Sequence, residues 1–270
     1  MNFASTILCF LSFTLFSQQN LLKNPSFEII DSTYYKMFAN ESKPFAINLK
    51  DWKVTSPSPD LFSDSIALNP PFYSKGYKGL THGNQNFTGK QTPKEGFYYL
   101  GLAQYVEFDD KMVKPCLATE SIAGELKHTL EKGKTYNISA YVSLSETSNS
   151  SLKEIKFTFS DSLTIVNGTN IWCKIRIDTT NSFNMYNSDS SWVNSKDEWV
   201  KIKGTYIAQG GEKYLNIGIP TSNPKLQNEK VKYKYRTFRK YSSYPSGGVK
   251  CYYYFDEVSV VQNESIYFDE

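Results

Sequence analysis

Short runs of alternating apolar and polar residues, divided by polar turns, make up most of this chain, and no segment sustains the 3.6-residue period of an amphipathic helix. The clearest run is 135–144, in which every second residue is apolar. Many short strands with turn signals between them are typical of an antiparallel β-sandwich, so we predict an all-β fold with long loops. The predicted strands are 97–108, 135–144, 155–159, 199–208, 214–219 and 252–260.

The turns between some of these strands predict two β-hairpins. Residues 131–134, Glu-Lys-Gly-Lys, separate the partly alternating segment 121–130 from 135–144. Residues 209–212, Gln-Gly-Gly-Glu, separate the strands on either side of them, and their two glycines supply the positive φ that a tight connection needs. We therefore expect each pair of segments to be hydrogen-bonded neighbours.

Three stretches interrupt the strand pattern. Residues 57–94 are rich in Gly, Pro, Asn and aromatic residues, 179–196 are rich in Asn and Ser, and 226–250 combine Lys and Arg with tyrosines. Long loops in a compact sandwich are often functional, so we expect recognition to be carried by these loops.

The beginning of the chain predicts a secretory signal peptide. Its apolar run is too short to span a bilayer and ends in small and polar residues, although a buried first strand is the alternative. No later segment is long and apolar enough for a membrane helix. We expect an exported protein, periplasmic, on the cell surface or secreted. Its parts would be a signal peptide (1–19), a single sandwich domain (20–264) and a short tail (265–270).

The composition argues against several classes of protein. The net charge of +3 is nearly balanced and the lysines are scattered, which gives no basic stripe for nucleic acid. Aromatic residues at 16% and hydrophobic residues at 40% supply a substantial core. After loss of the signal peptide, Cys116, Cys173 and Cys251 permit one disulfide with the pairing left open. No two of them have metal-ligand spacing, so a zinc site is not expected.

A series of motifs occurs in an order that resembles one family. They lie at 20–28 (Asn-Leu-Leu-Lys-Asn-Pro-Ser-Phe-Glu), Trp52, 58–62 (Ser-Pro-Asp-Leu-Phe), 133–144, 199–208, 210–218 and 253–260 (Tyr-Tyr-Phe-Asp-Glu-Val-Ser-Val). Together they resemble the galactose-binding-like jelly rolls exported by Bacteroidetes, a fold that includes many carbohydrate-binding modules. The resemblance covers nearly the whole chain after the signal peptide. It implies a sandwich whose first and last segments lie side by side, and binding rather than catalysis.

The same resemblance implies a structural calcium ion. Related modules hold Ca²⁺ with the acid of the opening motif and the acid of the last strand, which are Glu28 and Asp256 here, together with backbone carbonyls. Two acids that meet need a counter-charge, and Ca²⁺ prefers such oxygen ligands. The alternative is that Asp256 pairs with a lysine or a backbone amide.

Aromatic residues in the three long loops are candidates for a glycan site. Sugars present apolar faces ringed by hydroxyls, so a site pairs exposed aromatic rings with hydrogen-bonding side chains. The candidates are Tyr77 and Asn84 in the first loop, Trp192 in the second, and Tyr235, Arg236 and Tyr241 in the third. For any one of them, packing against the base of its loop is the alternative.

Catalytic motifs are missing from the sequence. It contains no Gly-x-Ser-x-Gly, no His-Glu-x-x-His and no phosphate-binding glycine loop. The adjacent acids Asp109-Asp110 and Asp256-Glu257 point to opposite faces of a strand, so neither pair can flank one glycosidic bond. We predict a non-catalytic, monomeric module that binds carbohydrate. The alternative is a protein-binding module of the cell envelope, and a glycan-active enzyme is less favoured.

Overall fold

The computed structural model describes residues 18–30, 49–55, 59–63, 89, 91–107, 117–163, 180–189, 191–218, 225–230 and 249–263. Within these ranges every helix or strand is a β-strand, which confirms the predicted all-β class. The strands are β1 (Trp52–Val54), β2 (Asp60–Ser63), β3 (Tyr98–Glu107), β4 (Leu117–Ala118), β5 (Ile122–Glu125), β6 (Thr135–Leu144), β7 (Ser150–Leu152), β8 (Ile155–Ser160), β9 (Ser182–Asn187), β10 (Val200–Ile207), β11 (Tyr214–Ile217), β12 (Leu226–Asn228) and β13 (Val249–Gln262).

The strands form two antiparallel layers that share one strand. The smaller layer has the order β1-β5-β11-β8-β9, and the larger layer continues from it as β9-β10-β6-β13-β3-β2, with β4 beside β3. β9 pairs with β8 in one layer and with β10 in the other. It lies in the segment 179–196 that the sequence pattern assigned to a loop, so that part of the loop prediction was wrong. β7 and β12 form a separate small pair.

The core lies between the two layers. On β6 the alternation buries Tyr136, Ile138 and every second residue onward, as predicted. Phe157 of β8 meets Phe255 of β13 with ring centroids 6.3 Å apart, which joins the middle of one layer to the middle of the other. Burial of such side chains supplies the main favourable term in folding, because apolar area is removed from water.

Both predicted hairpins were wrong in their pairing. β5 pairs with β1 and β11, whereas β6 pairs with β10 and β13. Likewise β10 lies in the larger layer and β11 in the smaller. Each connection therefore crosses the edge of the core from one layer to the other, so that both strands turn their apolar faces inward from opposite sides. Alternation predicts which face is buried but not which strand lies alongside.

The two crossing connections run side by side and bond to each other. Gly133 N–H donates to the Ala208 carbonyl at 2.8 Å, and Ala208 N–H donates to the Lys134 carbonyl at 2.9 Å. Leu130 N–H donates to the Glu212 carbonyl at 3.0 Å. The glycines of the second connection do adopt positive φ, so the turn chemistry was predicted correctly even though the strand pairing was not.

The first described segment lies along the end of β13, as the motifs at the two ends of the chain predicted. Leu21 N–H donates to the Val260 carbonyl at 2.8 Å, and Val258 N–H donates to the Pro25 carbonyl at 3.0 Å. The Asn20 side chain forms two hydrogen bonds with β13. Its Nδ2 donates to the Val258 carbonyl, and its Oδ1 accepts the Val260 N–H. Beyond Phe255, β13 no longer pairs with β3. The first described segment lies beside β13 there instead.

A buried lysine fastens the connection after β6. Lys196 is 8% exposed, and its Nζ donates to the carbonyls of Ser148 at 2.7 Å and of Lys230 at 3.0 Å. The ammonium group therefore joins this connection to the end of the described β12 segment. Among the described residues there is no helix of the length and hydropathy needed to cross a membrane.

Candidate functional site

β3 and β13 carry aromatic side chains on both of their faces. Leu100, Tyr253 and Phe255 point into the core, and their neighbours point to the face of the larger layer that is turned away from the core, here called the outer face. A strand that is covered on both faces reads as a continuous apolar run, which explains the sequence Tyr-Tyr-Tyr-Phe at 252–255. The outer aromatic cluster consists of Phe62, Tyr99, Ala103, Tyr252 and Tyr254.

The rings of the outer aromatic cluster pack closely. Phe62 stacks on Tyr99 with centroids 5.2 Å apart, and Tyr254 meets Tyr99 edge to face at 5.4 Å. Gly101 lies beneath them, since a Cβ at that position would collide with the Tyr252 hydroxyl and the Phe62 ring. Trp199 packs against the rim of the cluster, 6.0 Å from Tyr99.

The segment before β3 covers part of this face. The Tyr99 hydroxyl donates to the Gln91 carbonyl at 2.7 Å, and Trp199 Nε1 donates to the Thr92 carbonyl at 2.9 Å. Gln91 Nε2 also donates to Ser143 Oγ at 2.6 Å. The aromatic rings of the cluster are therefore buried packing groups and do not form an open platform.

Two acids, Asp60 and Glu120, contact this cluster. The Tyr252 hydroxyl donates to Asp60 Oδ2 at 2.5 Å. Burial raises the pKa of Asp60 to about 7, against the opposing effect of this hydrogen bond. Burial, and then the charge of Asp60, raise the pKa of Tyr252 well above its ordinary value. A second carboxylate, the buried Glu120, accepts the N–H of Ala103 in this cluster at 2.8 Å, and its charge also raises the pKa of Tyr252.

The rest of the outer face, over β6, β10 and β9, carries a different set of side chains. Tyr141 lies directly opposite Lys201, and Lys203 lies between Ser139 on one side and Tyr186 on the other. Tyr186 is 41% exposed and Lys203 is exposed. We call this set the tyrosine–lysine surface, which comprises Lys94, Ser139, Tyr141, Tyr186, Lys201 and Lys203.

Two lysines of the tyrosine–lysine surface contact the same ring. Lys94 Nζ lies 4.9 Å from the centroid of the Tyr141 ring, and Lys201 Nζ lies 5.5 Å from it. Both distances are within the range of a cation–π interaction. The Tyr186 hydroxyl accepts a hydrogen bond from Asn184 Nδ2 at 3.1 Å, which orients that ring.

The two acids predicted to hold calcium do converge on one turn. Glu28 Oε1 accepts the N–H groups of Phe97 and Tyr98, each at 2.9 Å. Asp256 Oδ2 accepts those of Lys94 at 2.8 Å and Glu95 at 3.2 Å. Both carboxylates therefore bind the turn 94–98 that leads into β3. For Asp256, this arrangement is the alternative given above, in which the acid pairs with backbone amides.

Asp256 is fully buried, and its second oxygen accepts the N–H of Glu257 at 2.8 Å. Burial raises the pKa of Asp256 to about 7, although the three N–H donors oppose this shift. Glu257 has a φ of 50° and lies at an irregularity in the pairing of β13 with β6. This local distortion brings Glu257 N–H to its neighbour's carboxylate.

Of the predicted glycan-binding residues, the structure describes Trp192 alone. It follows β9, is half-buried, and has Lys153 Nζ 5.8 Å from the centroid of its ring. Tyr77, Asn84, Tyr235, Arg236 and Tyr241 lie outside the described residues, so their roles stay predictions. The same holds for Cys116 and Cys173, whereas Cys251 is buried in the core.

The residues of the tyrosine–lysine surface were not among the sequence candidates. Tyr141 occupies the polar phase of the 135–144 alternation, where a large aromatic residue is an available signal for an outward-facing ring. Tyr186 was assigned to a loop, and Lys94 is far from β6 in sequence. The pairing of β6, β9 and β10 brings the strand residues together, and the hydrogen bond of Lys94 N–H to Asp256 brings Lys94 beside Tyr141.

Comparisons with known proteins gave similarity to solved structures only. No family model and no curated protein matches the chain. The CBM22-1 xylan-binding domain of Paenibacillus barcinonensis Xyn10C is 16% identical, with 65% of this chain and 78% of that domain covered and a TM-score of 0.32. The CBM22-1–CBM22-2 tandem of the same protein is 14% identical, with 92% and 47% covered and a TM-score of 0.41.

A candidate sugar binding protein from Bacteroides thetaiotaomicron was also found. It is 9% identical, with 91% of this chain and all of that protein covered and a TM-score of 0.35. The proteins in these comparisons include carbohydrate-binding modules, the class that the sequence motifs resemble.

Proposed function

We propose that this protein is a non-catalytic, exported carbohydrate-binding module whose binding surface is the outer face of the larger layer. The observation that carries the proposal is the presence of Tyr141 and Tyr186 on that face, two strands apart. Tyrosine combines an apolar ring with a polar hydroxyl, the combination that sugar recognition needs. Ser139 and the neighbouring lysines add hydrogen-bond donors around the rings.

The spacing of the two tyrosines suits an extended ligand. β6 and β9 are separated by β10 in the layer, and the tyrosines differ by two residues along the strand direction. Strand spacing and rise place their Cα atoms about 12 Å apart. A chain of sugars lying across the strands would reach both rings. Trp192, Tyr77, Asn84, Tyr235, Arg236 and Tyr241 stay candidates for further contacts with the glycan.

Binding to a glycan array by the secreted chain tests this function. We expect Tyr186→Ala and Tyr141→Ala each to weaken binding about tenfold, because aromatic stacking contributes on the order of 1–3 kcal/mol per ring by analogy with bases. Tyr214→Ala is the matched control, since Tyr214 alternates with the buried Leu215 on the outer side of the smaller layer. Absence of binding to every glycan, or release of reducing ends from a bound one, would contradict the proposal.

We also propose a structural Ca²⁺ ion bound by Glu28 and Asp256. Two features support it: both carboxylates reach the turn 94–98, and no lysine or arginine of the described residues forms an ion pair with either. Glu28 Oε2 accepts no hydrogen bond from a described residue, so one oxygen is available to a cation. The described residues contain no cluster of three acidic, histidine or cysteine side chains, so carbonyls or water would complete the shell.

Thermal melting with and without calcium tests the ion. We expect added Ca²⁺ to raise the Tm and excess EDTA to lower it, because a ligand that binds only the folded state stabilises it. Glu28→Gln keeps an oxygen that can accept the N–H of Phe97 and Tyr98 but removes the charge, so it should abolish the response to Ca²⁺. Equal melting curves for the wild type in EDTA and in Ca²⁺ would exclude the ion.

The alternative is a protein-binding role in the cell envelope. One observation favours it: Ile29 and Phe97 are 49% and 61% exposed, and both adjoin the Glu28 contact with the turn 94–98. Exposed apolar side chains that lie together often mark an interface. Capture of an envelope protein that is lost on Phe97→Ser but unaffected by Tyr186→Ala would favour this alternative over carbohydrate binding.

A further inference from the structure

The lysines of the tyrosine–lysine surface have no counter-charge within the described part of the chain. The ion pair found there joins Lys23 to Glu125, on the other layer. Lys94, Lys201 and Lys203 form no ion pair with any described carboxylate. Lys94 and Lys201 nevertheless approach the same ring. Two ammonium groups that contact one ring, with no described carboxylate paired to either, form a site that is complementary to an anion.

The pairing of the strands places these charges on one surface. Lys201 and Lys203 are two residues apart on β10, so they share a face. Their direct partners are Tyr141 and Ser139 on β6, and Tyr186 lies opposite Lys203 on β9. Residues directly opposite in an antiparallel pair have side chains on the same face. The two tyrosines and the lysines therefore form one continuous patch.

Among the described residues, the outward positions of β6, β9 and β10 carry no acidic side chain. The outward positions of β6 are Asn137, Ser139, Tyr141 and Ser143, and those of β10 and β9 include lysine, threonine, asparagine and tyrosine but no carboxylate. Asp256, opposite Tyr141 on β13, is buried and bound by three backbone N–H groups. Glu95, next to Lys94, is exposed and forms no ion pair with a described lysine.

From this arrangement we infer that the glycan bound by this surface is an anionic polysaccharide, with carboxylate or sulfate groups on its sugar units. This inference rests on the proposed carbohydrate-binding function and specifies its ligand class. The tyrosine rings contact the sugar faces. Lys94 and Lys201 bind acidic groups beside Tyr141, and Lys203 binds an acidic group beside Tyr186. A neutral polymer would bring no anionic group to these three ammonium groups.

Affinity electrophoresis of the whole secreted chain tests the inference. The probes are polygalacturonate and dextran sulfate, each against its neutral counterpart, carboxyl-reduced polygalacturonate and dextran. We expect retardation by at least one anionic polymer and not by its neutral form, and the two pairs distinguish carboxylate from sulfate. Lys201→Gln/Lys203→Gln should weaken binding about tenfold, since two exposed ion pairs are lost. Added salt should weaken the wild type in the same way.

A charge-matched control separates the site from the net charge. Lys132→Gln/Lys134→Gln removes two exposed lysines from the crossing connection and should leave binding unchanged. Equal weakening by both double variants would overturn the inference. So would equal retention on poly-glutamate or duplex DNA, which would indicate an unspecific polyanion surface. Binding to neutral glycans only would overturn the inference and leave the proposed function standing, whereas binding to no glycan at all would overturn the proposed function itself.

Discussion

Glu212 should be one of the most stabilising carboxylates in the described structure. It is 2% exposed, and its Oε1 accepts the Tyr206 hydroxyl at 2.7 Å and the Gln209 N–H at 2.6 Å. Its Oε2 accepts the Gly210 N–H at 2.8 Å. Burial, and then the hydrogen bond to Glu212 and its charge, raise the pKa of the Tyr206 hydroxyl. Glu212→Ala would leave three donors without an acceptor.

The expected cost differs between these donors. Gln209 and Gly210 belong to an exposed turn, so water can replace the carboxylate there and the loss is about 1 kcal/mol each. The Tyr206 side chain is largely buried, so its unsatisfied hydroxyl costs about 1–3 kcal/mol. The total of about 3–5 kcal/mol corresponds to a Tm lower by about 10 °C for a chain of this size.

Urea denaturation followed by tryptophan fluorescence measures this loss. Glu198→Ala, an exposed glutamate before β10, is the control and should stay within about 0.5 kcal/mol of wild type. If Glu212→Ala does not fold, Glu212→Gln, which retains one acceptor, should show about half the loss. A double-mutant cycle with Tyr206→Phe should give a coupling of about 1–2 kcal/mol. A Glu212→Ala variant as stable as the control would refute the reasoning.

Two further predictions concern stability. With EDTA present, wild-type stability should fall from about pH 4 to about pH 7, because native Asp60 and Asp256, each with a pKa near 7, hold protons that the unfolded chain has released. Asp60→Asn should remove the contribution of Asp60 to this slope, which is up to about 1.4 kcal/mol per pH unit. A variant whose pH profile equals that of the wild type would contradict this prediction. Gly218→Ala should destabilise by more than about 2 kcal/mol in thermal melts, since its φ is 90° and a Cβ would strike the Glu120 carbonyl. Gly133→Ala, at φ 79° with nothing within 4 Å of its Cβ, isolates backbone strain of about 1–2 kcal/mol, and equal losses would show that the collision is harmless.

The longer strands other than β9 were predictable from the sequence, whereas most of the short strands and the partners of the strands were not. Tyr136 to Leu144 alternate so regularly that the burial of β6 follows from period two alone. The partner of β6 depends on which layer the next strand joins, and that choice is made by the shape of the shared core. A polar turn such as 131–134 can close a hairpin or cross from layer to layer, because its sequence meets the needs of both.

The candidate site was likewise predictable from the sequence only in part. The meeting of Glu28 and Asp256 near one turn followed from matching motifs at the two ends of the chain. The tyrosine–lysine surface did not follow, because Lys94, Tyr141 and Tyr186 belong to three distant segments and each reads alone as an ordinary solvated residue. The proximity of Tyr186 to the other two residues depends on the pairing of β9 with β10, which no local sequence pattern predicts.

The position of β13 constrains the order in which this molecule can be assembled. β13 is the last described strand in sequence, yet it lies inside the larger layer between β6 and β3. During synthesis from the amino terminus, the edges of β3 and β6 that face β13 therefore stay unpaired until β13 has emerged. Such edges invite pairing with other chains. A newly made copy is thus most prone to aggregation before β13 joins the larger layer.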